Sequence, residues 1–207
     1  MAVKKRDAKL SKKIILDNAI KLFSTKGYGS SSMDELAQIS GLNKAMIFYY
    51  FKNKQGLYDA VIELIMDEIY ETVSNEGEDK NNPSLELEIF IKTYAKFACS
   101  HKYLPALLLR ELSNSGENIS ESLFFKMRKL YVYFSDILKR GEEKGIFKDV
   151  MPMMLYFMVL GTLNLIITTK PLRKIAQEKN GIDTCANCDI QTLSQYLIKK
   201  MKKILEE

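Results

Sequence analysis

The chain has 207 residues, 46% of them hydrophobic, and a formal charge of +5, which is enough apolar material for one or two packed domains. Three cysteines, an odd number, argue against a disulfide framework and suit a reducing cytoplasm. The basic N-terminus has no apolar core behind it and does not read as a secretory signal. One histidine, no Gly-rich phosphate loop and no nucleophile elbow leave an enzyme without a catalytic constellation.

The charge is unevenly spread. Residues 1–55 hold eleven lysines and arginines against four carboxylates, a net +7, so the rest of the chain sums to −2. A basic front on a slightly acidic rear is the pattern of a polyanion-binding head on a body with another task. A solvated lysine face explains any single charge, but not the asymmetry.

Residues 1–9 are polar and basic and read as a loose arm able to reach phosphates or a minor groove. A helix is expected over about Leu10 to Lys26, with Ile15, Ala19, Leu22 and Phe23 at helical spacing and Gly27 and Gly29 ending it. Next comes S-M-D-E-L-A-Q-I-S-G-L-N-K-A-M-I-F-Y-Y-F-K-N-K, Ser32 to Lys54. Ser32 and Glu35 form a capping box for a helix over Met33 to Ser40, whose apolar positions are Leu36, Ala37 and Ile39. Gly41 supplies the left-handed stop, and Asn43 caps a second helix over Lys44 to Phe51. Ala37, Gly41 and Ile47 stand at offsets of zero, four and ten. This is the helix-turn-helix arrangement: a small residue for close approach, a glycine for the turn, an aliphatic plug between the helices. Ile47 and Phe51 share one face, which leaves Lys44, Ala45, Phe48 and Tyr49 for a partner. The second helix of such a unit enters the DNA major groove. A helical hairpin inside an ordinary bundle has the same turn and stays open on spacing alone.

Asn53 caps a fourth helix to about Ser74, with Leu57, Val61, Leu64, Ile65 and Ile69 as its buried stripe. Asn75 to Ser84 reads as a linker. Further helices are expected over Leu85 to Ser100, from Pro105 to near Asn114, over Ser120 to Lys144, and over Asp189 to Leu205. In the third of these, Leu123, Met127, Leu130, Phe134 and Ile137 make a packing seam, and Gly145 closes it. Val150 to Thr169 is uncharged for twenty residues. That length can span a bilayer, but Pro152, Gly161, Thr162 and Asn164 favour a helix buried on all sides, as in an oligomer interface. The fold class is therefore all-α: a three-helix head, residues 1–55, on a helical-bundle body, residues 56–207.

Three stretches carry a family resemblance: I-L-D-N-A-I-K-L-F-S-T-K-G-Y from Ile15, S-M-D-E-L-A-Q-I-S-G-L, and I-F-Y-Y-F-K-N-K. Together they resemble the N-terminal signature of TetR-family transcriptional regulators. I-L-K-R-G-E-E-K-G-I-F, Ile137 to Phe147, is similar to a common connection before that family's eighth helix. The resemblance implies a cytoplasmic homodimer of nine-helix subunits that binds double-stranded DNA and represses until a small apolar or aromatic effector binds. The last two helices would build a four-helix dimer interface, with no membrane contact and no cofactor. It places Lys44, Ala45 and Tyr49 at bases, Ser31, Ser32, Tyr50 and Lys54 at phosphates, and Met46 among the DNA-binding residues. Met46 stands where Thr is frequent and Phe48 where Tyr is, so two hydroxyl donors are missing. Gly56 occupies a first-turn site that is often Glu. These departures keep a second reading open, a binding module or scaffold without a specific operator.

The same resemblance implies an effector cavity in the body, with Phe97, Leu107, Arg110, Phe124, Met127, Tyr131, Phe157 and Asn164 as its candidate lining. Asn164 interrupts an apolar helix and so needs a partner. Cys99, His101, Cys185 and Cys188 form a C-x-H and a C-x-x-C. Loop cysteines with a surface histidine, or one tetrahedral zinc site, both fit that spacing, and no metal is assigned.

Overall fold

The computed structural model describes residues 2–77, 81–101, 103–182 and 184–206. Among them are ten α-helices and no strand, an all-α architecture with one helix more than expected. The head is α1 (Ala2–Lys26), α2 (Met33–Ser40) and α3 (Lys44–Phe51), followed by α4 (Lys54–Glu76) and α5 (Pro83–Ser100). The body continues through α6 (Leu104–Ser113), α7 (Glu121–Glu143), α8 (Pro152–Thr168), α9 (Lys170–Asn180) and α10 (Ile190–Glu206).

Two of the expectations need correcting at the ends of elements. The arm is not loose: α1 extends back to Ala2. Its Ala, Lys, Arg and Leu residues are good helix formers, and no Gly or Pro precedes Gly27. The linker is shorter than read, because α4 runs to Glu76 and α5 starts at Pro83. Its residues 78–80 lie outside the described residues.

The core is one continuous cluster that runs from Ile15, Phe23, Leu36 and Ile47 in the head through Val61 and Ile69 to Phe90, Phe134 and Leu163 in the body. α4 makes that continuity, packing on α1 and α3 on one side and on α5 and α7 on the other. It buries a wider sector than a single stripe, adding Tyr58, Ile62 and Met66, while Leu64 is exposed. Ile39 of α2 is likewise exposed.

α5 and α7 are also joined by a buried charge. The Glu86 carboxylate accepts from Arg140 Nη2 at 2.6 Å and from the Tyr133 hydroxyl at 2.9 Å. Burial, and then the Glu86 hydrogen bond, push the Tyr133 hydroxyl well above its usual range. Removing one member of such a set strands the others out of water, so it fixes the relative position of the two helices.

The end of α7 is tight. Gly145, at φ +66°, provides the left-handed turn, and Phe147 folds back over Gly141. A Cβ at Gly141 would lie 1.9 Å from the Phe147 ring. Gly141→Ala is a helix-interior change that favours stability by about 0.5–1 kcal/mol where there is room. Here it should instead destabilise by about 1–3 kcal/mol through overpacking. A urea melt measures the sign, and a gain in stability would refute the close packing.

Within the single chain α8 is buried on one side, which leaves the other for the expected oligomer interface. Only Leu155, Val159, Leu160, Leu163 and Asn164 are buried, and Met151, Met154, Met158 and Leu165 are exposed. No single helix among the described residues is long and apolar enough to cross a membrane, and α8 and α9 meet at a 60° bend. The expected set of helices omits α9, which has no buried residue to betray it by periodicity. Its flanks did signal it: Pro171 in the first turn and Gly181 in the left-handed conformation just past the end.

Candidate functional site

The head forms largely through local hydrogen bonds. Ser32 Oγ accepts from Glu35 N at 3.1 Å, Asn43 Oδ1 from Ala45 N at 2.8 Å, and Asn53 Oδ1 from Gly56 N at 2.8 Å. Gly41 adopts φ +67°. The capping box is half made, because the Glu35 carboxylate pairs with Lys26 of α1 rather than returning to Ser32. Tertiary charge pairing thus ties α2 to α1 where a local bond was expected.

α3 divides into two faces. Ile47 is fully buried and Phe51 nearly so, while Lys44, Ala45, Met46, Phe48 and Tyr49 are exposed, Tyr49 at 82%. Lys44 Nζ lies 2.7 Å from Asp34 of α2 and 5.9 Å from the centre of the Phe48 ring. An exposed ion pair of this kind is worth little and exchanges readily for another anion. Tyr50 is half-buried, edge-on to Tyr49 at 5.4 Å.

The flanking positions differ among themselves. Ser32 is exposed at the start of α2. Ser31 is buried and donates its hydroxyl to Gly27 O at 2.6 Å, so that hydroxyl builds the turn after α1. Lys54 opens α4, its ammonium 3.3 Å from Gly29 O and 4.4 Å from the centre of the Tyr28 ring. Partial burial there holds its pKa below the usual lysine value. The first backbone N–H groups of α4 lie beside it, a natural anion seat.

The body holds a narrow apolar cavity of about 90 Å³ between α4, α6, α7 and α8. Met127, Phe157 and Asn164 line it, as expected. Tyr131 and Phe124 line the wider mouth that continues from it. Phe97 and Leu107 are buried in the core and line neither space. Arg110 points elsewhere: its Nη2 donates to Thr25 O at 3.2 Å, at the end of α1. Sequence reasoning missed Tyr94, whose hydroxyl donates to Asn164 Oδ1 at 3.1 Å, and of the two charged residues closing the apolar run Leu104–Leu109 it chose Arg110 for the lining where Glu111 is the one in the apolar wall. Asn164 signalled the need for a partner; the tyrosine 70 residues away that meets it carried no signal.

α6 bridges cavity and head. α6 carries Glu111 toward the cavity and Arg110 toward α1, and Gln55 Nε2 of α4 donates to Asn118 O at 3.0 Å, just beyond α6. The remaining candidates stay apart. Cys185 and Cys188 form a disulfide, Cys99 is free and exposed, and His101 Nε2 sits 3.3 Å from Glu68. The C-x-x-C is therefore a closed pair and not two loop thiols.

Residues 15–61 match the family model described as bacterial regulatory proteins, tetR family, and residues 80–168 that of a tetracyclin repressor-like C-terminal domain. Over 134 residues the chain is 28% identical to the Staphylococcus aureus negative transcriptional regulator of the biofilm operon icaADBC, IcaR, spanning 64% of this chain and 70% of that protein. In fold it is similar to Bacillus subtilis FadR in complex with stearoyl-CoA, with 19% identity, a TM-score of 0.70, and 93% and 98% of the two chains covered. It is also similar to AibR in complex with isovaleryl coenzyme A and operator DNA, with 19% identity, a TM-score of 0.71, and 92% and 97% covered.

Proposed function

The chain belongs to the TetR family and is a transcriptional regulator, and from that premise we propose that it is a dimeric repressor released from a near-palindromic operator by a small effector. The head, residues 1–55, reads DNA; the body, residues 56–207, binds effector and dimerises. The observation that carries the reading is the division of α3, with Ile47 and Phe51 locked in the core and Lys44 and Tyr49 turned to solvent. A helix held so firmly from behind presents its outer edge without reorganisation. Lys44, Ala45, Met46 and Tyr49 face base edges in the major groove. Ser32, Tyr50 and Lys54 hold phosphates, and Ser31 supports the turn from inside.

The effector sits in the cavity among α4, α6, α7 and α8. FadR and AibR were solved with acyl-CoA ligands, which supports a ligand with an apolar portion. α6 is the relay, since it forms a cavity wall and grips the end of α1 through Arg110. Ligand that spreads α6 from α8 favours a second arrangement of the two heads, lowering operator affinity by its differential binding to the two states.

Selection from random duplexes, followed by anisotropy titration of the enriched site, tests the reading. A two-fold-symmetric site should emerge. Its log affinity should fall linearly with log salt, about 0.9 per phosphate contacted. A sequence pool with no symmetric enrichment would refute it in favour of a scaffold role.

A further inference from the structure

Glu111 is an anomaly in the cavity wall. It is 3% exposed, and it is the one charged side chain lining the inner cavity. Its carboxylate receives the Asn118 amide at 3.4 and 3.5 Å, both long, and no cation among the described residues. The Tyr58 hydroxyl lies close by, buried, without forming an aligned bond. No cation among the described residues pairs with Glu111; Arg110 turns to α1 and Arg128, exposed at the mouth, makes no ion pair with it. A carboxylate taken out of water this far is costly unless a positive charge meets it.

The rest of the wall suits a cation too. Tyr94, Tyr156 and Phe157 also line it, and aromatic rings attract ammonium groups. Asn164 spends its oxygen on Tyr94. The inner cavity, about 90 Å³, has room for a head group only, and the mouth of about 660 Å³ that opens from it past Glu111 and Phe157 has the volume of a site for a small organic molecule.

We propose that the effector is an amphipathic cation, a protonated amine on an apolar or aromatic body, whose nitrogen is held by Glu111 while the body fills the space between α6, α7 and α8. This rests on the reading of the cavity as the effector site, and narrows it. Carboxylate ligands of similar shape, free fatty acids included, are disfavoured because they place like charge against Glu111.

Three twelve-carbon probes that differ only at the head decide the matter: dodecylamine, dodecanol and dodecanoate, each below its aggregation threshold. Binding to the full-length protein is followed by intrinsic tyrosine fluorescence and calorimetry. The amine should bind tightest, by roughly 10- to 100-fold over the alcohol, the range of a charge-assisted hydrogen bond. Glu111→Gln, isosteric and uncharged, should erase that advantage and leave the alcohol unchanged. Gly161→Phe is the control for location, because a side chain at Gly161 projects into open space within the cavity lining; it should block all three. If dodecanoate or dodecanol binds at least as tightly as the amine and Gly161→Phe blocks it, the cavity reading stands and the cation inference falls. If amine binding survives Gly161→Phe, or none of the three binds, both fall. Should Glu111→Gln fail to fold, the order of the three probes on the unaltered protein still decides.

Discussion

If the proposed dimer assembles through α8, replacing Met154 and Met158 with glutamate should leave a monomer and lower operator affinity by roughly 10²- to 10⁴-fold, the gain that linking two binding heads confers. Both side chains lie one turn apart on the outer face of α8, Met154 58% and Met158 41% exposed in the single chain. Met151 and Leu165 extend the same apolar surface. Contiguous exposed apolar area on an uncharged helix is what an interface covers. Two carboxylates placed there would be forced out of water on assembly with no partner cation, a cost of several kcal/mol. Because the buried side of α8 is Leu155, Val159, Leu160 and Leu163, the fold itself should be preserved. Sedimentation velocity reads the mass and anisotropy reads the affinity. A double variant that stays dimeric and binds operator normally would remove α8 from the interface.

Tyr49→Ala should cost about 1–3 kcal/mol in each half-site and so about 2–6 kcal/mol for a dimer on its full operator, the range for a side chain that reads a base edge. The loss should fall mainly on the enriched sequence, with non-specific binding little changed. Lys44→Ala should act differently. If Lys44 contacts phosphate, affinity drops on all sequences and the salt slope shrinks by about one per half-site; if it contacts a base, specificity relaxes at one position. Neither change should affect folding by more than about 0.5 kcal/mol, since both side chains are exposed and the Lys44–Asp34 pair lies in solvent. A Tyr49→Ala protein that melts normally and binds operator with full affinity would turn the outer edge of α3 away from DNA.

Arg110 and Glu111 show where reading the chain ran out. They are neighbours in sequence, and an α-helix turns them about 100° apart, so one reaches α1 and the other the cavity. The charge-bearing end of an apolar run was visible in the residues; which of the two entered the cavity was set by where α1 and α8 lie. Ser31 is similar. The resemblance put it at a phosphate, but its hydroxyl donates inward to Gly27. The bounds of α2 and α3 and the start of α4 were legible nearly to the residue, because Ser32, Gly41, Asn43 and Asn53 act on backbone groups within three positions; the start of α1, which has no such cap, was not.

What the sequence determined by itself was the head: its caps, its turn, and the buried and free faces of α3. All are consequences of hydrogen bonds and periodicity within a few residues. Tertiary structure alone decided the cavity and its chemistry, namely that Tyr94 meets Asn164, that Glu111 faces apolar walls uncompensated, that Glu86 is satisfied by Arg140 and Tyr133, and that α8 buries only one side. Each of those pairs residues tens of positions apart. Such contacts depend on how whole helices cross, and local propensity does not encode a crossing.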